Sequence, residues 1–573
     1  MLEYSERTHQ LMQAKYQYEL QDVAEPNLYR EIFDYESIPK IAFNNRLVPI
    51  NMPADIWMTD TTFRDGQQSV SPFKPEQIEH LFKLESRLGG PKGLIRQSEF
   101  FLYTDRDREA LERCQALGLK YPEITTWIRA NENDFKLVKA AGVRETGILV
   151  SCSDYHIFKK MHLTRAQAMD KYLGIVKAAL EQGIVPRCHF EDITRADFYG
   201  FVLPFAEQLM HLSEESGLPI KVRACDTMGY GISYPGAALP RSVPGIIYGL
   251  NHYARIPSEQ LEWHGHNDFY KVVSNAGTAW LYGCSSVNCS LLGIGERTGN
   301  CPLEAMAIEY QALRGTTDGM DLTAVSEIAE YMEREIGLEI SPRQPFVGRH
   351  FNVTRAGIHA DGDSKNNLYF NELLPERFGR VREYALGKTS GKANVLKNLE
   401  ALGIDLDEAA MRKVTERVVE LSDKKEQVTA EDLPYIIADV LRYDPVDTPV
   451  RILNYSLSLA QGMHPVATLR IEIHGCAYER TSAGDGQYDA FMRALRQIYR
   501  EQLGREFPML RDYTVSIPPG GRTDAFVQTI ITWEMDGREF KTRGLDADQT
   551  EAAIKATVKM LNIIEINYND NGC

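Results

Sequence analysis

The sequence contains no long hydrophobic run. None of its segments reaches the about 18 consecutive apolar residues that a membrane-spanning helix requires. The first residues, MLEYSERTHQLMQAKYQYELQD, include neither the basic nor the apolar segment of a secretory signal. We therefore expect a cytoplasmic protein without a membrane partner.

Paired cysteines and blocks of basic residues are also missing. The nine cysteines form no Cys-x-x-Cys pair, and their odd number fits reduced thiols better than disulfides or a structural zinc site. The chain has 80 acidic and 64 basic residues, a formal charge of −16, and no Lys/Arg cluster. Such a chain repels phosphate backbones, so we expect no nucleic-acid partner.

What is present is the composition of a folded protein, with 43% apolar and 25% charged residues in a chain of 573. This length is too great for one hydrophobic core, so several domains are expected. In the first half, short β-rich segments alternate with amphipathic helical ones. The β-rich segments are 56–60, 93–99, 123–128, 146–151, 184–190, 220–226, 261–266 and 285–291.

Eight β/α units of this size predict an α/β fold with a (β/α)8 TIM barrel. A doubly wound sheet is the alternative, but the first strand is not followed by its Gly-rich nucleotide loop. Mostly helical patterns follow the barrel, and alternating strands return near the end of the chain. We predict an N-terminal arm, a barrel, a helical subdomain and a C-terminal α+β regulatory-type domain, covering 1–50, 51–320, 321–445 and 446–573.

The segment TDTTFRDGQQS follows the first predicted strand, at the end of the barrel where catalytic groups lie. On its own it is more typical of a turn than of a site, because Asp and Thr cap and turn chains so often. Residues further along the sequence could bind a metal ion together with its Asp65. His264 and His266 lie two apart on the seventh strand, so both side chains point the same way, and Asn300 follows the eighth strand.

A carboxylate, two imidazoles and an amide at one rim suit Mn²⁺, Mg²⁺ or Co²⁺, with Zn²⁺ as a further option. A His-x-His pair alone is modest support, because surface and core histidines explain about half of such pairs. The sequence therefore predicts a divalent metal site formed by Asp65, His264, His266 and Asn300.

Five ordered motifs connect the chain to a family: DTTFRDGQQ, CHFEDITRAD, CDTMGYGISYP, HGHND and GIGERTGNCPLE. Together they resemble the metal-dependent acyltransferases of the Asp-Arg-Glu-type TIM-barrel superfamily, namely the 2-isopropylmalate, homocitrate, citramalate and Re-citrate synthases. RAGIHADG is similar to a segment of the family's helical subdomain. SAGDGQYDAF and PPGGRTDAF are similar to motifs of its dimer-forming regulatory domain. The resemblance implies a homodimer that condenses acetyl-CoA with a 2-oxo acid and releases CoA.

The resemblance also implies roles for individual residues. Arg64 would steady the developing alkoxide or enolate, and Gln68 would support the metal-binding residues. Thr227 would bind the carboxylate of the 2-oxo acid, and Glu191 would orient the metal ligands. His359 would act as the base or position it, although a histidine in a polar loop is in some cases only a cap. Acetyl-CoA would lie near a region that contains Glu296 and Asn300.

Three cationic positions predict which 2-oxo acid is used. Arg96 replaces a glutamate of the isopropylmalate enzymes, and His189, preceded by Arg187, replaces a small serine. Burying cations without an anionic partner is costly, whereas arginine binds carboxylates well. These residues favour oxaloacetate, and GLIRQSEFFLYTDRDREA and SCSDYHIF also resemble Re-citrate synthases. The regulatory-type tail favours 2-isopropylmalate synthesis as the second option, followed by citramalate and by phosphonate-containing or homologous 2-oxo acids.

Three other classes share parts of this pattern. A lyase of the 3-hydroxy-3-methylglutaryl-CoA type would carry a GGCP loop, whereas this chain has LGIGERTGNCP and two additional modules. A biotin-dependent carboxyltransferase would carry an AMKM-like segment, which is missing. A metabolite sensor built on a degenerate barrel is the non-enzymatic alternative, and the intact Arg64, Asp65, His264 and His266 argue against it.

Overall fold

The computed structural model of the chain describes residues 2–5, 10–13, 18–354, 357–366, 375–387, 390–402, 404–423, 428, 430, 433, 436–437, 449–516, 527–535, 538–546 and 548–565. The chain forms two compact units. One contains Met1–Asn352 with Leu374–Val381, and the other contains Val353–Leu373 with Arg382–Cys573.

The first unit begins with a short antiparallel pair of strands, β1 (Leu2–Ser5) and β2 (Gln10–Gln13). Residues 18–50 contain almost no regular structure. Backbone hydrogen bonds tie this segment to the barrel region, including the bonds of the Gln21 amide to the Gly200 carbonyl and of the Asn44 amide to the Gly236 carbonyl. The segment therefore lies along the first unit as an extended arm.

Eight parallel strands then close into a barrel, which confirms the predicted fold class. They are β3 (Trp57–Asp60), β4 (Ile95–Phe100), β5 (Glu123–Ile128), β6 (Glu145–Ser151), β7 (Val185–Glu191), β8 (Lys221–Asp226), β9 (Leu261–Gly265) and β10 (Ser286–Cys289). Their order around the barrel follows the chain, and β10 pairs with β3 to close it. Each strand overlaps one predicted segment, and the ends differ by at most two residues.

Helices in the first unit connect and flank these strands. They are α1 (Pro75–Gly89), α2 (Asp105–Ala116), α3 (Phe135–Ala140), α4 (Arg165–Glu181), α5 (Leu203–Ser216), α6 (Val243–Tyr248), α7 (Val272–Tyr282), α8 (Leu303–Arg314) and α9 (Thr323–Tyr331). Local sequence sets their ends. Before α4, the Thr164 side chain accepts from the Gln167 amide, and the Gln167 side chain accepts from the Thr164 amide, a reciprocal cap.

Alternation along the barrel strands separates two buried layers. One set of side chains points outward against the helices and is apolar; it includes Met58, Ile148, Val150, Val222 and Val287. The other set points into the barrel and is polar; it includes Thr59, Glu99, Arg223, Glu262 and Asn288. The interior of this barrel is therefore an ion-paired network rather than a hydrophobic core.

The second unit combines helices with two antiparallel sheets. Its elements are β11 (Val353–Thr354), α10 (Gly357–Asn366), β12 (Glu383–Tyr384), α11 (Lys392–Leu402), α12 (Glu408–Asp423), β13 (Val450–Ser458), β14 (Val466–Ile473), β15 (Cys476–Ala483), α13 (Gln487–Gln497), β16 (Met509–Ser516), β17 (Val527–Met535), β18 (Arg538–Asp546) and α14 (Gln549–Glu565). β13–β15 form one antiparallel sheet, β16–β18 form another, and β11 pairs in parallel with β12. Apolar side chains of both sheets and of α13 and α14 share one core, which includes Leu469, Phe491, Trp533 and Leu561.

The barrel-containing unit extends beyond the predicted barrel boundary at 320, because it includes α9 and the chain as far as Asn352. The division into four domains stays a prediction. Among the described residues, no helix is both long and apolar enough to cross a bilayer.

Candidate active site

Four polar side chains meet at the carboxyl ends of the barrel strands. Asp65 follows β3, His264 and His266 come from the end of β9, and Asn300 lies in the loop after β10. The His264 Nε2 atom is 3.3 Å from His266 Nε2 and 3.8 Å from Asp65 Oδ2. Asn300 Nδ2 donates to Asp65 Oδ2 at 2.9 Å. The structure therefore brings together all four residues that the sequence predicted as metal ligands.

The surroundings of these groups favour the protonation states that metal binding requires. Burial opposes ionisation of Asp65, but Arg64 and the two histidines lower its pKa to about 2. Burial lowers the pKa of His264, and burial together with the neighbouring His264 lowers the pKa of His266 to about 4. A carboxylate beside neutral imidazoles is the form of these side chains that binds a cation.

The donor set fits a divalent metal ion. In the described part of the chain, Asp65, His264 and His266 form a group whose ligand atoms all lie within 4.8 Å of one another. The Asn300 Oδ1 and His266 Nδ1 atoms are buried and have no hydrogen-bond partner among the described residues. Two nitrogen and two oxygen donors, with two atoms otherwise unpaired, match the mixed ligand preference of first-row divalent ions.

A chain of hydrogen bonds inside the barrel orients His264. Its Nδ1 lies 2.8 Å from the Asn288 Oδ1 on β10, and Asn288 Nδ2 donates to Thr59 Oγ1 at 2.9 Å. Thr59 in turn donates to Glu262. Because Asn288 Oδ1 accepts a hydrogen bond from Nδ1 of His264, the proton of this imidazole is on Nδ1. The Nε2 atom, which faces Asp65, is therefore available as a metal ligand. Asn288 is not among the residues predicted from the motifs, although its position in SSVNCSL, two residues after Ser286, is that of a polar side chain pointing into the barrel.

Arg64 is fixed on three sides. Its Nη1 donates to Asp65 Oδ1 at 2.7 Å and its Nε donates to Glu99 Oε2 at 2.8 Å. The guanidinium also lies over the Trp127 ring, 5.4 Å from the centroid. Burial opposes the ionisation of Glu99, but Arg223, Arg64 and Arg187 lower its pKa to about 2, so it stays anionic. Arg64 is thus a positively charged side chain in a fixed position beside the metal cluster, the name used below for the four predicted metal ligands Asp65, His264, His266 and Asn300.

A second polar group lies at the ends of β6, β7 and β8. Glu191 accepts a hydrogen bond from Ser151, and His156 Nδ1 is 2.9 Å from Glu191 Oε2. Thr227 accepts from the Asp192 amide at 2.9 Å. Among the described residues, the hydrogen bonds and ion pair of Glu191 are with Ser151 and His156 and not with the predicted metal ligands, so its orienting role stays a prediction. His156 was not singled out from the sequence beyond its place in SCSDYHIF.

The structure places Arg96 at the opposite end of the barrel, so the prediction that it binds the substrate is wrong. Arg96 is the second residue of β4 and lies near the amino ends of the strands. Its guanidinium lies over the rings of Trp57 and Tyr121, at 4.9 and 5.1 Å, and its Nε donates to the Gly93 carbonyl. The cation is stabilised by aromatic faces and requires no carboxylate there.

Arg187 already has partners within the protein. It lies inside the barrel near the start of β7, where it donates to Glu145 and to Gln97. Arg187 is therefore already paired with a carboxylate of the protein, and its burial does not require an anionic substrate. His189, two residues further along β7, lies deeper toward the carboxyl end, with Nε2 3.5 Å from Glu99 Oε1.

Gln68, Glu296 and His359 complete the set of predicted site residues. Gln68 lies in the 3-10 turn Gly66–Ser69 directly after Asp65, and its side chain is exposed. Glu296 is exposed in the loop that carries Asn300. His359 lies on α10 in the second unit. Their predicted roles stay predictions.

Comparison with protein families assigns most of the chain. The HMGL-like family model matches residues 55–332, which contain the barrel. The homocitrate synthase post-HMGL domain-like model matches 347–426, and the LeuA allosteric (dimerisation) domain matches 427–565.

Individual relatives match between 62% and 94% of the chain. The chain is 54% identical over 386 residues to a Citrate (Re)-synthase of Clostridium kluyveri, a match that covers 67% of this chain and 85% of the relative. It is 58% identical over 356 residues to a Citrate (Re)-synthase of Syntrophus aciditrophicus, covering 62% of this chain and 57% of that protein. It is 26% identical over 544 residues to a 2-isopropylmalate synthase of Methanocaldococcus jannaschii, covering 94% and 98% of the two chains.

Proposed function

The chain belongs to the family of metal-dependent acyltransferases that includes the Re-citrate, 2-isopropylmalate and citramalate synthases, and from this premise we propose that it condenses acetyl-CoA with oxaloacetate to citrate and CoA. The buried cluster of Asp65, His264, His266 and Asn300 beside Arg64 is the observation that carries the proposal. Identity of 54% and 58% to two Citrate (Re)-synthases supports the choice of oxaloacetate.

The reaction removes a proton from the thioester methyl group, forms a carbon–carbon bond to the ketone carbon, and then cleaves the thioester with water to release CoA. A divalent ion held by Asp65, His264, His266 and Asn300 would withdraw electron density from the ketone. Arg64 supplies a fixed positive charge for the oxygen that becomes negative as the bond forms. Because Glu99 and Asp65 hold the guanidinium, it need not reorganise during the reaction.

Other residues of the chain bind the substrate and move the proton. Thr227, the residue directly after β8, donates its hydroxyl to the carboxylate next to the ketone. The His156 and Glu191 pair, with Nδ1 and Oε2 2.9 Å apart, lies at the carboxyl ends of the strands. His359 is the proposed base for the thioester methyl group, and the region of Glu296 and Asn300 receives acetyl-CoA.

Two further proposals concern the assembly and the metal. The match to the LeuA allosteric (dimerisation) domain supports a homodimer of two 65.0 kDa chains. The oxygen-containing half of the ligand set favours Mn²⁺, Mg²⁺ or Co²⁺, whereas Zn²⁺ is more often bound by sites richer in nitrogen and sulfur.

Thiol release with a panel of 2-oxo acids tests the function. The purified protein is given acetyl-CoA and Mn²⁺ with oxaloacetate, 2-oxoisovalerate or pyruvate, and free CoA is measured. Oxaloacetate should give the highest kcat/KM, with citrate identified by mass spectrometry, and His264→Ala should abolish the signal. CoA release that is fastest with another acid would overturn the choice of oxaloacetate, and no release with any acid would favour a sensor.

A 2-isopropylmalate synthase is the second candidate. The LeuA-type domain and the match over 94% of the chain to a 2-isopropylmalate synthase favour it. In the same assay this candidate predicts that 2-oxoisovalerate is the best acceptor.

A further inference from the structure

Helix α1 carries a glutamate on the face that packs against the barrel. Glu85 is fully buried, and its buried neighbours along the helix, Leu81, Phe82 and Leu88, are apolar. Within the described ranges, neither oxygen of its carboxyl group accepts a hydrogen bond, and no lysine or arginine faces it. An ionised carboxylate is too costly in such surroundings, so the Glu85 side chain carries a proton.

The Glu85 carboxyl faces that of Asp60, the last residue of β3, which is also fully buried. Asp60 accepts hydrogen bonds from the Thr62 amide at 3.0 Å, from the Thr62 hydroxyl, and from Ser98 Oγ at 2.8 Å. Such donors favour the charged form of a carboxyl group. Burial raises the pKa of Asp60 to about 6, and burial together with Asp60 raises the pKa of Glu85 well above its usual value. At neutral pH, Asp60 is therefore the anion of the pair and Glu85 is the acid that donates to it.

The hydrogen bonds of Asp60 fix the start of the loop after β3. Thr62 is held through both its amide and its hydroxyl. The preceding residue, Thr61, accepts at its carbonyl from the amides of Arg64 at 3.2 Å and Asp65 at 2.8 Å. The orientation of this turn, and with it the direction in which Arg64 and Asp65 point, therefore depends on Asp60.

The same threonine also holds the loop after β10. Thr62 Oγ1 accepts from the Leu291 amide at 2.7 Å. Leu291 begins the 3-10 turn Leu291–Gly293, and the Gly293 carbonyl accepts from the Asn300 amide at 2.9 Å. One chain of hydrogen bonds thus connects Asp60 with both loops that contribute ligands to the metal cluster from β3 and β10.

We propose that Glu85 is a positioning residue, whose carboxyl proton, donated to Asp60, keeps the loops after β3 and β10 in the arrangement that the metal cluster requires. This inference rests on the proposed function and adds a residue that supports its site. Without Glu85, Asp60 would be a buried carboxylate that lacks a cation and has lost a donor, so it would take up a proton itself. A protonated Asp60 must donate, and its nearest acceptors are the hydroxyls of Thr62 and Ser98, which now donate to it.

The test compares two variants of equal side-chain length. Glu85→Gln keeps an N–H that can donate to Asp60, whereas Glu85→Met has no donor. Glu79→Leu removes a partly exposed carboxylate of the same helix, paired with Lys83, and is the matched control. Mn²⁺ affinity is measured by electron paramagnetic resonance, kcat by thiol release with oxaloacetate, and amide hydrogen exchange of the metal-free proteins by mass spectrometry of the peptides that contain Thr62 and Leu291.

Glu85→Met should lower both Mn²⁺ affinity and kcat by about tenfold, at the lower end of the usual effect of losing an outer-shell partner of a metal site. Both peptides should exchange faster in this variant. Glu85→Gln and Glu79→Leu should stay within about twofold of the wild type, because each leaves the donor to Asp60 in place. A Glu85→Met protein like the wild type, or equal losses in Glu85→Met and Glu85→Gln, would overturn the inference.

A further variant decides the question if Glu85→Met does not fold. Thr62→Val removes the hydroxyl that connects Asp60 with the Leu291 amide, and it should lower Mn²⁺ affinity by a similar factor. Wild-type Mn²⁺ affinity in this variant would overturn the inference. A wild-type protein that binds no Mn²⁺ and releases no CoA would refute the proposed function, whereas the exchange rates of the metal-free proteins would still decide the role of Glu85.

Discussion

Asn288 should control metal affinity without touching the metal. Replacing it with Leu preserves the approximate volume but removes the acceptor that lies 2.8 Å from His264 Nδ1. The imidazole can then rotate, or carry its proton on Nε2, the atom that faces Asp65. Loss of such an orienting partner typically weakens metal binding 10- to 100-fold, or about 1.4 to 2.7 kcal/mol.

Electron paramagnetic resonance of free Mn²⁺ measures this effect directly during a titration. Asn251→Leu is the matched control, because Asn251 also makes side-chain hydrogen bonds, to Ile256 and Ser258, away from the metal cluster. We expect the control to bind Mn²⁺ like the wild type. A folded Asn288→Leu protein with wild-type Mn²⁺ affinity would refute the role assigned to this hydrogen-bond chain.

Three further predictions concern separate parts of the molecule. Burial raises the pKa of Glu304 to about 7, above its ordinary value of 4.5, so the folded state holds this proton more tightly than the unfolded state. Its contribution to stability is therefore present at low pH and is lost as the pH rises from about 4.5 through 7. In denaturant unfolding, the free energy of unfolding of the wild type should fall between pH 5 and pH 8 by up to about 3 kcal/mol more than that of Glu304→Gln. Parallel pH profiles of the two proteins would contradict this. Arg96→Gln should leave kcat/KM for oxaloacetate within about twofold, and a selective loss with this dicarboxylic substrate would restore the original assignment. His359→Gln should lower kcat by about 10²- to 10⁴-fold with Mn²⁺ affinity unchanged, as measured by thiol release and metal titration, and an unaltered kcat would exclude it as the base.

The barrel and its metal cluster could be predicted because their signals are local. Each strand segment has a short apolar or alternating pattern, and the spacing of His264 and His266 determines that both face the same side. The carboxyl ends of all strands in a parallel barrel lie together, so Asp65 and Asn300 could be placed beside them from strand order alone.

The substrate-binding cations could not be assigned in the same way. A residue's depth in the barrel depends on where its strand begins and on the stagger between strands, and neither is visible in a motif. Arg96 comes second in β4, near the amino end, whereas Glu99 reaches Arg64 near the other end. Parity along β4 places Gln97 and Glu99 on the same face and Arg96 on the other, a signal that the comparison of motifs overlooked.

The ionic partners of Arg187 and Arg223 were also out of reach from sequence. Glu99, Glu145 and Glu262 come from three different strands, and only the closed barrel brings them to the arginines. From the sequence, Arg187 therefore appeared to be a buried cation without a partner, although the folded barrel pairs it with Glu145.

Anomalous diffraction from crystals grown with Mn²⁺ would show directly whether Asp65, His264 and His266 bind one divalent ion. We expect one strong manganese peak within bonding distance of the Asp65 carboxylate and of both His264 and His266. A peak elsewhere, or side chains too far apart to contact a common ion, would contradict it.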